Sequence, residues 1–301
     1  MLTANMAWGL MSPLSKGIMM FGSIGYLSLV SFRLGGAAIA FWIASLFVKR
    51  EKVPAKDLLL LFVASLFAIV FNQGIFIAGV SMTSPINASI VTTFLPIVTM
   101  IISFFYLKEP ITFKKTLGVI VGGFGAALII ISSTQQDVSS GIESSNNLLG
   151  IILVFLAQLS YATYFVLFKK FVEKYSPITL MKWMFLFASI VFLPIGQKEF
   201  LKLDYASIPF HIYRDILFVI LGSTFFTYLM VPIGQKNLRP TVASMYNNMQ
   251  PIVATIAAVM MGIDVFGWMK ASAIILVVLG VVIVNKSRGL EDEREKWRDE
   301  R

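Results

Sequence analysis

Residues 84–130 read SPINASIVTTFLPIVTMIISFFYLKEPITFKKTLGVIVGGFGAALII, and residues 239–285 read RPTVASMYNNMQPIVATIAAVMMGIDVFGWMKASAIILVVLGVVIVN. A shift of 155 lays one on the other without a gap, with ten identities in 47 positions. They are Pro85/Pro240, Ala88/Ala243, Ser89/Ser244, Pro96/Pro251, Ile97/Ile252, Val98/Val253, Ile101/Ile256, Lys115/Lys270, Ile120/Ile275 and Gly125/Gly280. Chance matches apolar residues, but it rarely aligns two prolines, a serine inside an apolar run and a Pro-Ile-Val triplet together. Glu109 falls on Asp264, just past the helix end in each copy. A shift of 153 relates the beginnings: Ala4 meets Ala157, Trp8 meets Tyr161, Lys16 meets Lys169 and Ser23 meets Ser176. Seven residues precede Trp8 and thirteen, Leu148–Ser160, precede Tyr161, so the first helix is expected to be about six residues shorter than its counterpart. The chain thus divides into one unit at 1–132, a linker loop at 133–147, a second unit at 148–285 and a charged tail at 286–301.

Composition states where such a duplicated unit lives. The 301 residues are 57% hydrophobic and 14% charged, with mean hydropathy +0.81. A soluble domain carries about 25% charged residues, so this chain cannot cover a water-facing surface. A soluble enzyme, a disulfide scaffold and a disordered protein are excluded. Cysteine is absent, which removes thiolate metal sites and cysteine nucleophiles. A membrane-crossing helix needs about 20 mostly apolar residues. Ten windows satisfy that: 1–21, 26–48, 58–79, 83–106, 114–132, 148–169, 178–196, 214–235, 240–262 and 267–285, taken here as spans 1 to 10. Ser132–Asn147 and Gln197–Tyr213 read as the two long loops. Five spans per unit is an odd number, so the second unit crosses the bilayer in the opposite sense. The expected fold is an all-α integral membrane protein of ten transmembrane helices, arranged as two inverted five-helix repeats. Inverted repeats are characteristic of transporters, with the substrate near the midplane at the repeat interface.

The net charge of +9 is a matter of orientation, not of nucleic acid. With both termini in the cytoplasm, 19 Lys and Arg fall on the cytoplasmic side and only Lys198, Lys202, Arg214 and Lys270 outside. That asymmetry obeys the positive-inside rule. Lys16 and Arg33 are the two basic residues left inside spans. No basic segment precedes the first apolar run, so no cleavable signal peptide is expected. The alternating charges of Glu291–Arg301 read as a solvated extension.

Polar side chains inside spans face the bundle interior or a cavity. Span 4 sets Ser89, Thr92, Thr93 and Pro96 on one helical stripe, and span 9 repeats it as Ser244, Asn247, Asn248 and Pro251, with Gln250 alongside. Pro96 and Pro251 free a carbonyl each and mark helix breaks suited to gating. Span 1 places Asn5, Trp8, Ser12 and Lys16 on one face, and span 6 places Gln158, Tyr161 and Tyr164 at steps of three. Asn72 and Gln73 lie in mid-span 3, with Thr227 and Tyr228 as counterparts in span 8. The candidate substrate-binding set is Trp8, Ser12, Lys16, Arg33, Asn72, Thr92, Thr93, Gln158, Tyr161, Tyr164, Tyr228, Asn247 and Asn248. The structural alternatives are interhelical hydrogen bonding by Ser, Thr and Asn, an interfacial aromatic belt and, for Lys16, snorkelling. Gly118, Gly122 and Ala126 in span 5, and Gly36, Ala40 and Ala44 in span 2, form small-residue faces. They pack helices inside the bundle, and a monomer or weak homodimer is expected.

These features together resemble the drug/metabolite transporter superfamily, in its EamA-like ten-helix form. The resemblance rests on Ala4-x-x-x-Trp8-Gly9-x-x-x-Pro13-x-x-Lys16, on the run from Ala88 through Pro96 to Leu107-Lys108-Glu109, and on the glycine-rich span 5. Ala243, Pro251, Asp264 and Gly280 carry it in the second copy. Tyr161 stands where the family frequently has Trp. The resemblance implies export or exchange of small metabolites across the plasma membrane, through a central cavity lined by spans 1, 3, 4, 6, 8 and 9. All 16 acidic residues fall in loops, helix ends or the tail. Proton-coupled cation export needs a buried carboxylate, so a neutral, zwitterionic or anionic metabolite, such as an amino acid, is expected over a multidrug cation. A channel or a membrane sensor without alternating access is the alternative of another class. An intramembrane enzyme is disfavoured: no pair of mid-span aspartates exists and His211, the single histidine, lies in a loop. No catalytic residue, metal or cofactor is expected; the partners are a small-molecule substrate and the lipid bilayer.

Overall fold

A computed structural model describes residues 1–107, 113–114, 116–118, 120–125, 128, 144–237, 243–244 and 246–285. Every regular element among them is helical. In the first unit, span 1 is α1 (Leu2–Met20) and span 2 is α2 (Tyr26–Ala44). Span 3 joins α3 (Ala55–Ser65) to α4 (Asn72–Met82) through a π-helical stretch, Leu66–Phe71. Span 4 is two pieces, α5 (Pro85–Thr92) and α6 (Leu95–Leu107). In the second unit, span 6 is α7 (Ser144–Leu167), followed by short α8 (Lys169–Lys174), and span 7 is α9 (Pro177–Leu201). Span 8 joins α10 (Phe210–Ile220) to α11 (Thr227–Asn237) through a second π-helical stretch, Leu221–Phe226. Spans 9 and 10 are α12 (Met249–Met260) and α13 (Trp268–Asn285).

Among the described residues, six helical runs are long and apolar enough to cross a membrane, from Tyr26–Phe47 to Phe210–Lys236. Met249–Met260 is a shorter apolar helix. The distribution of polarity is that of a membrane protein. Large apolar side chains such as Ile39 and Phe105 are 63% and 77% exposed, while Asn5, Arg33, Ser223 and Thr227 are fully buried. An exterior of hydrocarbon around an interior of polar groups is stable in lipid and not in water.

The duplication is clearer in the backbone than in the residues. Adding 155 to α3, its π stretch and α4 gives α10, the second π stretch and α11, end for end. Yet over these 28 positions only Leu66/Leu221, Phe71/Phe226 and Gly79/Gly234 are identical. A π turn loosens the backbone ladder and is found at functional sites. Here neighbouring spans supply donors to it: Ser160 Oγ donates to the Phe67 carbonyl at 2.8 Å and Tyr228 Oη to the Ala68 carbonyl at 3.1 Å.

Span 4 breaks after Thr92 and resumes at Leu95, and in span 9 a 3-10 turn at Tyr246–Asn248 leads into α12. The two breaks coincide under the same shift. Pro96 and Pro251 occupy the second and third positions of the helices that follow. A first-turn residue has no intrahelical acceptor for its N–H, so proline costs nothing there. Thr92 and Thr93 cap the end of α5 by donating to the Ser89 and Ile90 carbonyls at 2.6 Å each.

Three expectations need correction. The long loop expected at Gln197–Tyr213 is mostly helix, because α9 runs through Pro194 to Leu201 and α10 begins at Phe210. The polar turn at its end is held by a tertiary contact: Glu199 accepts from the Ser28 N–H at 3.1 Å, in the first turn of α2. Span 3 begins at Ala55 rather than at 58, directly after Pro54. Of the linker loop expected at 133–147, residues 144–147 are already the first turn of α7, while 133–143 lie outside the described residues, as do Glu109, Ala126 and the tail 286–301. Span crossings are set by glycine. A Cβ on Gly79 would stand 2.8 Å from the Gly150 carbonyl, so α4 and α7 touch backbone to backbone.

Candidate functional site: a cavity between the repeats

The two helix breaks border one small cavity, beside the helices α4 and α11 that follow the π stretches. Its walls come from spans 1, 3, 4, 6, 8 and 9, the six that the resemblance implies. Repeat partners meet across it. Trp8 and Tyr161 touch edge to face at 5.9 Å between ring centres. Gln73 Nε2 donates to Tyr228 Oη, and these two are 155 apart. Thr92 and Asn247, also 155 apart, both line the space at the two helix breaks. Trp8 touches Tyr228 as well, edge to face at 5.6 Å. Contact between repeat-related residues is what an axis of pseudo-twofold symmetry requires, so the cavity lies on that axis.

The remaining wall is mixed. Asn72 Nδ2 donates to the Ala157 carbonyl at 2.9 Å, and Gln250 Nε2 donates to Asn5 Oδ1 at 3.0 Å. Gln158 adds a further amide, and Met11 and Phe76 complete the lining with apolar surface. Gln73 Oε1 and the Tyr161 hydroxyl are buried without a hydrogen-bond partner among the described residues. Such groups are costly to leave unmet. The cavity encloses about 30 Å³, room for about two waters and far less than a metabolite needs.

Seven sequence-predicted residues therefore border the cavity: Trp8, Asn72, Thr92, Gln158, Tyr161, Tyr228 and Asn247. Others lie elsewhere. Ser12 is buried and donates to the Pro85 carbonyl at 3.2 Å, holding span 1 against span 4. Thr93 is spent on its own helix. Tyr164 is buried beside Tyr161, its ring 5.8 Å away. The Asn248 side chain lies outside the described residues, although its backbone closes the 3-10 turn. Lys16 stands toward the other end of α1, in a separate cavity of about 250 Å³ with Ser81, Met82 and Asn146. Its Nζ donates to the Val80 and Ser81 carbonyls at 3.2 and 2.7 Å. Those carbonyls end α4 and lack intrahelical donors, so Lys16 caps a helix C-terminus. Arg33 is fully buried one layer out from the cavity, its Nε donating to Thr224 Oγ1 at 3.1 Å.

Met11, Phe76 and the pairing role of Gln73 were not singled out from the residues. The signal for Gln73 was available, since the 155 shift sets it on Tyr228. Met11 and Phe76 carried none, because an apolar residue in a membrane span looks the same facing lipid or cavity.

Apart from Arg33, the charges that meet across the two units lie near helix ends. Lys174 Nζ and Asp57 Oδ2 are 2.5 Å apart, and Tyr175 also donates to Asp57. Its hydrogen bond to Asp57 raises the Lys174 ammonium above its usual value. Glu51 accepts from the Ser176 N–H and hydroxyl at 3.1 and 3.0 Å, and Lys236 donates to the Tyr175 carbonyl at 2.6 Å. The two halves are thus joined by polar contacts at this end. At the other end Asp264 bonds Lys270 and accepts from the Ile86 N–H at the start of α5. Among the described residues, no carboxylate borders the central cavity.

Known proteins agree with this architecture. The chain resembles a solved protein structure with a TM-score of 0.64 at 15% identity, over 94% of both chains, which bears on the fold alone. It is 28% identical over 282 residues to an uncharacterized transporter of Archaeoglobus fulgidus, covering 93% of this chain and 95% of that one. It is 23% identical to the uncharacterized transporter YyaM of Bacillus subtilis, covering 86% and 85%. A protein of Rickettsia felis named as an S-adenosylmethionine uptake transporter is 23% identical over 60% of this chain and 56% of its own. The model of the EamA-like transporter family matches twice, at residues 1–131 and 148–286. With ten sequence spans, an all-helical fold and a family match in each half, this multi-pass membrane protein belongs to the EamA-like transporter family.

Proposed function

We propose that this transporter exports or exchanges a small neutral, zwitterionic or anionic metabolite, an amino acid or a relative of one, by alternating access. The two units, 1–132 and 148–285, rock about the central cavity in opposite orientation within the plasma membrane, with both termini cytoplasmic. The observation that carries this reading is the contact of repeat partners, Trp8 with Tyr161 and Gln73 with Tyr228. A site on the symmetry axis can be opened to either side by equivalent motions of equivalent helices. The polar contacts at the two ends, Glu51 with Ser176 and Asp264 with the start of α5, suit a pair of alternating closures. The wall offers amides and hydroxyls for polar groups and aromatic rings for an apolar body. Relatives named as S-adenosylmethionine uptake transporters support a metabolite with an amino-acid head, although that molecule's sulfonium makes it a net cation and the named direction is inward.

The test is counterflow in proteoliposomes, with amino acids, 2-oxo acids, nucleosides and organic cations offered singly. Saturable, trans-stimulated flux of an uncharged, zwitterionic or anionic member supports the proposal. Flux that rises linearly with concentration identifies a channel. Trp8→Ala is expected to raise KM at least tenfold, because Trp8 touches both cavity tyrosines. An unchanged KM removes the cavity from the transport path.

A further inference from the structure

Arg33 poses a problem that the fold does not solve internally. It is the eighth residue of α2, about 12 Å from that helix's start at 1.5 Å per residue, and its side chain is fully buried. Of its five N–H donors one is used, Nε to Thr224 Oγ1. The terminal nitrogens Nη1 and Nη2 have no hydrogen-bond partner among the described residues. Thr224 supplies no negative charge, and its own proton goes to the Val219 carbonyl at 2.7 Å.

The described carboxylates are all engaged elsewhere. Asp57 holds Lys174, Asp215 holds Arg214, Asp264 holds Lys270 and Glu173 faces Lys169. Glu199 takes a backbone N–H of α2, Glu51 binds Ser176, and Asp204 caps its own turn. A guanidinium buried alone is among the most expensive arrangements a protein can hold. Placed only for stability, it would stand beside an acid.

Its surroundings connect it to the cavity. Thr224 lies in the π stretch of span 8, and Tyr228 follows one turn later. The Tyr228 ring lines the cavity, one helical turn on from the threonine that Arg33 bonds. The Tyr228 hydroxyl accepts from Gln73 and donates to the Ala68 carbonyl, which lies in the other π stretch. One aromatic residue thus links the unpaired cation, the cavity and both irregular helical segments.

We propose that Arg33 is the counter-ion for a carboxylate of the transported molecule, which reaches it past Tyr228 when the cavity opens. A planar fork of N–H groups fits a carboxylate with two parallel bonds. The inference rests on the transporter reading and narrows it: the substrate carries a carboxylate, and organic cations are rejected. It also fixes the mode. Closing the empty carrier buries a lone charge, whereas closing the loaded carrier buries a neutral pair. Exchange of substrate for substrate is therefore faster than net flux.

The experiment is thermal denaturation of the purified full-length protein in detergent, as wild type, Arg33→Met and Arg33→Lys. The probes are matched pairs at about 10 mM, a concentration that detects millimolar binding: L-phenylalanine and its amide, L-methionine and its amide, phenylpyruvate and phenylethanol. The ligand-free midpoint of Arg33→Met is expected to equal or exceed that of wild type, because a costly charge is gone. At least one acid raises the wild-type midpoint, its neutral or amide partner does not, Arg33→Met loses the shift and Arg33→Lys keeps part of it. A fall of several degrees in ligand-free Arg33→Met assigns Arg33 a structural role and overturns the proposal. So does a shift by amides equal to that by acids, or an undiminished acid shift in Arg33→Met. No shift by any acid overturns it too. In that case saturable counterflow of uncharged compounds leaves the transporter reading standing, and its absence removes both.

Discussion

The Asp264–Lys270 pair permits a calculation. Nζ and Oδ1 are 2.7 Å apart, and the two side chains are 2% and 5% exposed. Removing one partner of a buried pair typically costs about 3–5 kcal/mol, because the other charge is left uncompensated. The two removals are not equal here. In Lys270→Met the carboxylate keeps two backbone donors, Val265 at 2.7 Å and Ile86 at 3.2 Å, so the cost is at the lower end. In Asp264→Asn the ammonium loses its counter-charge and keeps only neutral acceptors, the amide oxygen and the Val265 carbonyl at 3.1 Å, so the cost is at the upper end. The double variant loses no charge balance and forfeits mainly the charge-assisted bond to Ile86, about 1.5–3 kcal/mol. The coupling energy of the cycle, the two single losses less the double, is then about 5–6 kcal/mol. At about 2–4 °C per kcal/mol, the single variants fall by roughly 6–20 °C. Fluorescence-detected thermal denaturation in detergent, at one fixed scan rate, measures it. Additive losses in the double variant, or an Asp264→Asn loss under about 0.5 kcal/mol, refute the reasoning.

Three further outcomes are expected. Gly79→Ala forces a Cβ to 2.7 Å from Val154 Cγ2 and 2.8 Å from the Gly150 carbonyl. It should cost about 1–3 kcal/mol in thermal denaturation, while Gly35→Ala, with nothing within 4 Å of the added carbon, should not destabilise. Burial raises the Glu51 carboxyl, but hydrogen bonds from Thr179 and from the Ser176 backbone and hydroxyl outweigh it and hold the group below its usual 4.5. A lowered folded value gives stability that is complete above the unfolded value and lost as pH falls through the folded one. The deficit of Glu51→Gln in denaturation should therefore be constant at about pH 6–8 and shrink in acid below about pH 4.5; a deficit that grows in acid contradicts this. Lys16→Met removes the donor to the last carbonyls of α4 and should cost about 0.3–2 kcal/mol, the range for a cation at a helix C-terminus. Stability equal to wild type would mean that the cap contributes nothing.

Much of this architecture is legible before any coordinates, for a physical reason. A bilayer makes polar residues inside spans rare and directional, so Trp8, Asn72, Thr92, Tyr161, Tyr228 and Asn247 stand out and converge on one cavity. What stays hidden follows from the same solvent. The π stretches consist of residues that would serve equally in an α-helix, and their matching ends at 66–71 and 221–226 share only Leu and Phe. The extension of α9 to Leu201 depends on where Glu199 finds a donor, which is a tertiary fact. Lys16 and Arg33 look alike as charges in spans, yet one rests on helix-end carbonyls and the other has two nitrogens without a partner among the described residues. Sequence distance does not encode which neighbour a long side chain reaches.

The tightness of the central cavity bears on the energy economy of the membrane around it. Ions and protons leak across a bilayer along connected water, and about 30 Å³ holds about two molecules, not a file. In the alternating-access reading proposed above, a waist this narrow, with Trp8 edge-on against Tyr161 and Tyr228, keeps the carrier from leaking ions while it is shut. A cell can keep many copies in its membrane without discharging its potential, where each elementary charge is worth about 2.3 kcal/mol per 100 mV.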